Sequence, residues 1–355
     1  MPLWTFARSE EKVNPVTHLK KLASISAALL MLGLVTSCST STNEQATNVT
    51  EMTIYSGRSE EFIAPFFADW QAATGIKLNV RYGDSAELSA QILEEGSNSP
   101  ADLFLSQDAG SLGAISQAGL FTTLPSDVAA DIPAAYVAAN REWVGITGRA
   151  RVFAYAPVRV KTLPASVTDL TKSIYKNQIG IAPTNASFQA FLAALIENKG
   201  SGFAKTWLEG LQANGVKIYL KNSAIVEAID KGEISLGLVN HYYIWEVSES
   251  LGRAINVKNG FFAPSDLGNL INVSGAGVLQ TSAKQKTAQD LINYLTSPAA
   301  QQKFVTDTHE YSLLDGALPP TDLPTLDKIG APSLDLKSLS NIKATQDLLI
   351  QVGLL

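Results

Sequence analysis

Cysteine is almost absent from this sequence, which has one cysteine in 355 residues. A single thiol can form neither an internal disulfide nor a cysteine-rich zinc site. Histidine is scarce as well, with three residues, and there is no P-loop, no GxGxxG motif opening a helix and no HExxH motif. The position of the cysteine near the amino terminus and the few histidines also argue against a nucleophile–histidine pair. We therefore expect a protein that is not an enzyme.

Charge is the second feature that the chain has little of. Charged residues make up 17% of the sequence, and 27 basic against 33 acidic residues give a net charge of -6 without any basic block. This composition argues against nucleic-acid binding. The hydrophobic fraction of 46% excludes a disordered chain, and the length suits about two domains.

The amino-terminal segment has no apolar run long enough for a typical membrane span. Residues 22–35 are uncharged and mostly apolar, and Arg8, Lys12, Lys20 and Lys21 precede them. A span needs about 20 apolar residues, so this stretch of 14 is short. A basic flank, a short apolar segment and small residues after it are typical of a secretory signal peptide.

The single cysteine, Cys38, stands directly after this segment. Val35-Thr36-Ser37-Cys38 resembles a bacterial lipobox, in which cleavage precedes a cysteine that carries a diacylglycerol. We predict a lipoprotein signal peptide over 1–37, lipidation at Cys38 and a polar flexible tether over 38–51. Cleavage would remove four positive and two negative charges, changing the net charge from -6 to -8. The alternatives are an ordinary signal peptide or a buried helix with a chance cysteine.

The body of the chain alternates strand and helix patterns. Phe62, Phe66 and Trp70 follow a helical spacing, whereas Ile76, Leu78 and Val80 alternate with polar residues as in a strand. The pattern predicts strands over 52–55, 76–80, 102–106, 144–155, 179–182, 216–220, 234–239 and 273–279, with helices between and after them. Such alternation indicates an α/β fold with mainly parallel sheets, here in two lobes with a cleft between them.

Ligands of open α/β sheets bind beyond the carboxyl ends of the strands. The residues that follow the predicted strands are rich in hydrogen-bonding groups: Ser56 to Glu61, Gln107 to Gly110, Pro183 to Phe188, Lys221 to Ser223, and Asn240 to Tyr243. Two of these loops open helices, whose free N–H groups can bind an anion. We therefore expect an anion site in the cleft.

The adjacent tyrosines Tyr242 and Tyr243 admit two interpretations. Aromatic pairs are common in cores and lobe interfaces, and spacing alone favours packing. The functional interpretation requires a ligand that prefers phenolate, and ferric iron prefers hard oxygen donors. A metal ion can deprotonate a phenol because it stabilises the anion directly. Two phenolates would leave coordination positions for an exogenous anion.

Seven ordered stretches then make the chain resemble the ferric-iron-binding proteins of bacterial ABC transporters, transferrin-like members of the type II periplasmic-binding-protein fold. They are IYSGRSEE, ATGIKLNVRYGDS, EEGSNSPADLFLSQDAG, WVGITGRARVFAY, APTNASFQA, NSAIVEAIDKGEISLGLVNHYY and VSGAGVL. The resemblance implies a monomeric, extracytoplasmic protein that captures Fe3+ with a carbonate or phosphate-like anion and delivers it to an ABC permease and its ATPase. It further implies a first lobe over 52–148 plus about 273–325, and a second over about 149–272 plus the carboxyl-terminal helices.

The resemblance also assigns site residues. It places the iron-ligand tyrosines on Tyr242 and Tyr243, and the anion-binding positions are the following: Arg58, Asn185, Ala186, Ser187, Asn222 and Asn240. Ser59 and Gln107 stand where some members have histidine and glutamate ligands, so we expect them beside the ion and not bound to it. Members with a third tyrosine in the anion loop are not matched, because residues 185–187 are Asn-Ala-Ser. Asp108 and Glu60 are candidates for extra oxygen ligands.

Other polar residues have simpler interpretations. We expect His241 to lie in solvent or beside the site without binding metal, and His309 to lie at the surface. Arg149 and Arg151 either favour anions in the cleft or form structural pairs. The competing function is a binding protein of the same fold for a sugar phosphate, a phosphonate or a thiamine-like ligand, which the loss of the histidine and glutamate ligands leaves open.

Overall fold

The computed structural model describes residues 49–334, 339 and 341–355. The predicted signal peptide, Cys38 and most of the predicted tether lie outside the described residues. No helix within these described ranges is long and apolar enough to cross a membrane.

The first part of the chain forms three strand–helix units. The elements are β1 (Glu51–Ser56), α1 (Glu60–Thr74), β2 (Lys77–Tyr82), α2 (Ser85–Glu95), β3 (Leu103–Ser106) and α3 (Ala109–Gln117). Strand β1 pairs in parallel with both β2 and β3. Asp84 and Asp108 cap α2 and α3 by accepting main-chain N–H bonds, and Gly75 ends α1 in the left-handed conformation. These capping residues mark where the helices begin and end, and the elements follow the predicted βαβαβα order.

The second part begins with a long strand. Its strands are β4 (Val144–Tyr155), β5 (Ile179–Ile181), β6 (Lys217–Ile218), β7 (Leu236–Asn240), β8 (Lys258–Gly260) and β9 (Ile271–Val278). Its helices are α4 (Ala186–Lys199), α5 (Ser201–Ala213), α6 (Asn222–Lys231), α7 (Tyr243–Ser250), α8 (Gln285–Leu295), α9 (Pro298–Asp307), α10 (Leu326–Ile329) and α11 (Ile342–Gln351). Strand β8 and helix α7 were not expected from the sequence pattern.

Across the described residues, nine strands make one mixed sheet in the order β2-β1-β3-β9-β4-β7-β5-β6, with β8 on β4. Pairing is parallel at both ends of this order, but β9 is antiparallel to β3 and β4, and β4 is antiparallel to β7 and β8. The predicted α/β fold is therefore confirmed, with two long antiparallel strands in the middle of a sheet that is otherwise parallel.

Strand β4 connects the two parts of the sheet. Its first residues pair with β9, and Arg151 to Tyr155 pair with β7. Its side chains are buried on both faces, and these include the polar side chains of Thr147, Arg149 and Arg151 in the middle of the strand. The division into two lobes at residues 148 and 272 remains a prediction, but β4 and β9 are the strands that such a division would cross.

Candidate functional site

A polar cavity of about 290 Å³ lies at the strand ends that the sequence singled out. Its lining residues are Gly57, Asp84, Ser85, Gln107, Asp108, Arg149, Thr184, Asn185, Ala186, Ser187, Leu220, Asn240, Tyr242, Tyr243 and Asn272. Loops after β1, β3, β5 and β7 thus meet here, as expected for the carboxyl ends of strands.

The tyrosine pair stands where β7 ends and α7 begins. Tyr242 is the N-cap residue of α7, and Tyr243 is its first residue. Their ring centroids are 4.5 Å apart with the planes tilted by 33°, and both side chains line the cavity. The amide of Asn240 donates to the Tyr242 hydroxyl at 3.5 Å, a weak contact. The two phenol groups therefore face one space, as chelation of a single ion requires.

Burial keeps the Tyr243 phenol protonated in the protein alone. Burial, followed by the proximity of Tyr242, raises the pKa of Tyr243 well above its usual value of 10. The opposing influence is Asn222, whose side chain favours the phenolate. A highly charged cation is the kind of ligand that would reverse this preference, because it stabilises the anion directly.

The start of α4 forms the wall that was predicted to bind an anion. Asn185 caps the helix, with its Oδ1 accepting from the Ser187 main-chain N–H at 3.0 Å. The Ser187 hydroxyl donates to the same oxygen at 2.6 Å and accepts from Asn222 Nδ2 at 3.0 Å. Asn185, Ala186, Ser187 and Asn240 all line the cavity, and Asn222 is tied to them by these bonds. The predicted anion-binding residues other than Arg58 are thus brought together.

Arg58 is placed differently. Its two terminal nitrogens donate to both carboxylate oxygens of Glu310, at 2.6 and 2.7 Å, in a buried bidentate ion pair. Arg58 is not among the cavity-lining residues. Glu310 engages two of the five N–H donors of the guanidinium, and the predicted contact with an anion would require Arg58 to reach a cavity that it does not line.

A different arginine faces the cavity. Arg149 on β4 lines it and is 3% exposed, while its Nε has no hydrogen-bond partner and lies 4.0 Å from Glu310. Its cross-strand neighbour on β9, Asn272, also lines the cavity and was missed by the sequence analysis. The pattern offered no signal for Asn272, because it lies at the amino-terminal end of β9, whereas ligands are expected beyond the carboxyl ends of strands.

The remaining candidates divide between cavity and surface. Asp108 lines the cavity, but both its carboxylate oxygens accept bonds from Ser111, and burial raises its pKa. Gln107 also lines the cavity; when its amide donates to the Gly57 carbonyl, its oxygen accepts from Arg149 Nη1 at 3.3 Å. Glu60 and Ser59 are exposed at the start of α1 and are not lining residues.

His241 is a buried structural residue and not a solvent-exposed one. Its Nδ1 accepts from the Ala150 N–H at 3.1 Å, and its Nε2 bonds the His309 carbonyl at 2.7 Å. Burial lowers the pKa of His241 to about 4, so the ring is neutral with both nitrogens occupied. His309 is partly exposed and contacts Glu249 at 3.2 Å.

The donor set decides what the cavity can bind. The described residues contain no cluster of three or more histidine, cysteine, aspartate or glutamate side chains suited to a metal ion. The cavity instead offers two phenols, several amides, a helix start and an arginine. Phenolates with an added anion suit a hard trivalent cation, whereas structural zinc sites are built mainly from cysteine and histidine.

The chain is similar to known proteins over most of its length. A family model described as bacterial extracellular solute-binding protein matches residues 98–327. The Fe(3+)-binding periplasmic protein of Serratia marcescens is 32% identical over 306 residues, which cover 85% of this chain and 90% of that protein.

Solved structures extend the similarity to the fold. Iron-bound HitA from Pseudomonas aeruginosa is 31% identical with a TM-score of 0.80, covering 86% of this chain and 99% of that one. The IdiA (FutA) protein of Trichodesmium, solved with iron and citrate, is 27% identical with a TM-score of 0.74, covering 86% of this chain and 100% of that one. The predicted type II periplasmic-binding-protein fold is thereby confirmed. The chain belongs to the bacterial extracellular solute-binding protein family, in the group that contains the ferric-iron-binding proteins.

Proposed function

We propose that this protein binds ferric iron outside the cytoplasm and delivers it to an ABC permease and its ATPase. The observation that carries the proposal is the tyrosine pair facing the start of α4 across one small polar cavity. Tyr242 and Tyr243 supply two phenolate ligands. The relatives that bind iron support the same assignment.

The anion is the second part of the proposal. Two phenolates leave Fe3+ with a positive charge and unfilled coordination positions. A carbonate or phosphate-like anion held by the start of α4 and by Asn222 and Asn240 fills them, because helix N-termini favour negative charge. Asp108 is the protein carboxylate best placed to add an oxygen ligand, since it lines the cavity and Glu60 does not.

Ferric titration of the protein lacking residues 1–38 tests this function. Addition of ferric citrate is expected to produce a broad visible band from tyrosinate-to-iron charge transfer, which saturates at one iron per chain. The measurement is visible absorbance, with gallium as a trivalent control that binds without producing the band. No band, together with tight binding of a phosphorylated sugar, would favour the competing function and end the iron proposal.

We also propose that Cys38 attaches the protein to the outer face of the cell membrane as a monomer. The motif before Cys38 supports this, and two acyl chains suffice for stable anchoring. Cys38→Ser is expected to abolish incorporation of a labelled fatty acid into the protein, because the lipid is attached through the thiol, measured by metabolic labelling and immunoprecipitation. Thr47→Ala in the predicted tether is the control and should remain labelled. A Cys38→Ser protein labelled as strongly as the control would contradict the anchor.

A further inference from the structure

Arg151 is a buried cation that the site as described above does not use. Its side chain is 2% exposed, and it forms no salt bridge to a carboxylate among the described residues. Its Nη2 donates to the Leu238 carbonyl at 3.1 Å, and its Nε has no hydrogen-bond partner. An unpaired charge in a protein interior is costly, so a compensating anion is expected in some functional state.

The guanidinium lies directly behind the start of α4. Its Nη1 donates to the Ser187 hydroxyl at 2.9 Å, and its carbon lies 5.7 Å and 5.8 Å from the ring centroids of Phe188 and Phe191. Those two rings belong to the first turns of α4, so Arg151 fixes both the helix and the hydroxyl at its start. Burial lowers the pKa of Arg151 to about 9, and negative charge on Tyr243 or Tyr242 would oppose that decrease.

The hydroxyl of Ser187 is fully committed by this arrangement. It accepts from Arg151 and Asn222 and donates to Asn185. The hydroxyl therefore holds no free donor for an anion, and the Ser187 main-chain N–H is already bonded to Asn185, so nearby positive charge must provide much of the attraction. Two buried guanidinium groups can supply that charge. Arg149 lines the cavity with Glu310 4.0 Å away, whereas Arg151 has no carboxylate partner among the described residues.

We propose that Arg151 is a positioning residue that sets the anion requirement of iron binding. It orients Ser187 and supplies the buried positive charge that an anion at the start of α4 neutralises, without contacting the iron itself. The inference rests on the proposed iron-binding function and deepens it.

The test compares Arg151→Met and Arg151→Lys with the unsubstituted protein. Ferric affinity is measured by competition with a chelator, in buffer free of coordinating anions and then with inorganic phosphate or bicarbonate. Met keeps the apolar packing and removes the charge, so the gain in affinity on adding either anion is expected to fall at least tenfold. Lys keeps the charge and should retain most of that gain. Arg141→Met is the control, because Arg141 also donates to main-chain carbonyls, whereas none of its bonding partners lines this cavity as Ser187 does.

The possible failures are distinguishable. If the unsubstituted protein binds no iron, the proposed function itself is wrong. If it binds iron and Arg151→Met shows the same gain with anions, only the role of Arg151 is overturned. Should Arg151→Met not fold, Arg151→Lys decides. Lysine lacks the planar fork of arginine, so the preference between phosphate and bicarbonate is expected to change at least threefold. An unchanged preference would overturn the inference.

Discussion

Replacing Tyr243 with phenylalanine is expected to abolish most of the visible iron band and to weaken ferric binding by at least a hundredfold. The substitution removes one hydroxyl oxygen and keeps the ring that packs at 4.5 Å on Tyr242. One phenolate ligand of a trivalent ion is worth several kcal/mol, and each 1.4 kcal/mol is tenfold in affinity. Titration with ferric citrate, followed by absorbance and chelator competition, measures both effects.

Tyr294→Phe is the matched control, since Tyr294 lies on α8 and does not line the cavity. It should leave the band and the affinity unchanged. A Tyr243→Phe protein with the same band and affinity would show that this tyrosine packs and does not bind iron. Because Tyr243 is protonated in the protein alone, iron binding must release that proton. Ferric affinity at a fixed concentration of the same anion species is therefore expected to fall as the pH falls.

Glu310→Gln is expected to lower the free energy of unfolding by about 3–5 kcal/mol, the usual cost of removing one partner from a buried ion pair. Glu310 is 2% exposed and is the carboxylate between Arg58 and Arg149, so its loss leaves two buried guanidinium groups without compensation. Urea unfolding with linear extrapolation measures the change. Replacing Arg58 with methionine in the same protein should restore part of the loss.

The contribution of the Arg58–Glu310 pair to the free energy of unfolding is expected to decrease at low pH. Arg58 lowers the pKa of Glu310 against the opposing effect of burial. A carboxyl group with a depressed pKa in the folded state contributes its full stability above the unfolded pKa, which is about 4.3 for glutamate. That contribution is lost as the pH falls below this value, and the loss should be absent in Glu310→Gln. Glu249→Gln at the surface is the control. If it changed the pH dependence of the free energy of unfolding as much as Glu310→Gln does, the assignment of this pH dependence to Glu310 would be contradicted.

Those parts of the site that depend on local sequence were predictable. The tyrosine pair, the loop that opens α4 and the residues after β3 all follow a strand end, and the carboxyl ends of neighbouring strands meet in space. The order of strands and helices followed from apolar periodicity and capping residues. The antiparallel direction of β4 and β9 could not be predicted. Apolar periodicity is the same in parallel and antiparallel strands, and β4 and β9 are each buried on both faces.

The contacts that the sequence did not reveal join distant residues. Arg58 and Glu310 are 252 positions apart, and nothing in either neighbourhood indicates the other. Arg149 and Asn272 are cross-strand neighbours only because β4 and β9 are antiparallel in one particular register. His241 has a carbonyl partner at residue 309, so its structural role depends on where the chain returns after α9. Long-range pairing of this kind is set by the tertiary fold and has no local pattern.

The course of β4 and β9 has a mechanical consequence. Both strands continue from one part of the sheet into the other, and the register between them shifts once, between Gly145 and Thr147. If the cavity opens by a movement of one part of the sheet against the other, we expect this two-stranded ribbon to twist like a torsion bar. Points on the axis of such a bar move least. Arg149 and Asn272 lie on it, whereas the tyrosines and the start of α4 stand to one side. We therefore expect Arg149 and Asn272 to keep their arrangement when the cavity opens, while the tyrosines and the start of α4 move apart. Part of the binding site is then already formed before the ligand binds.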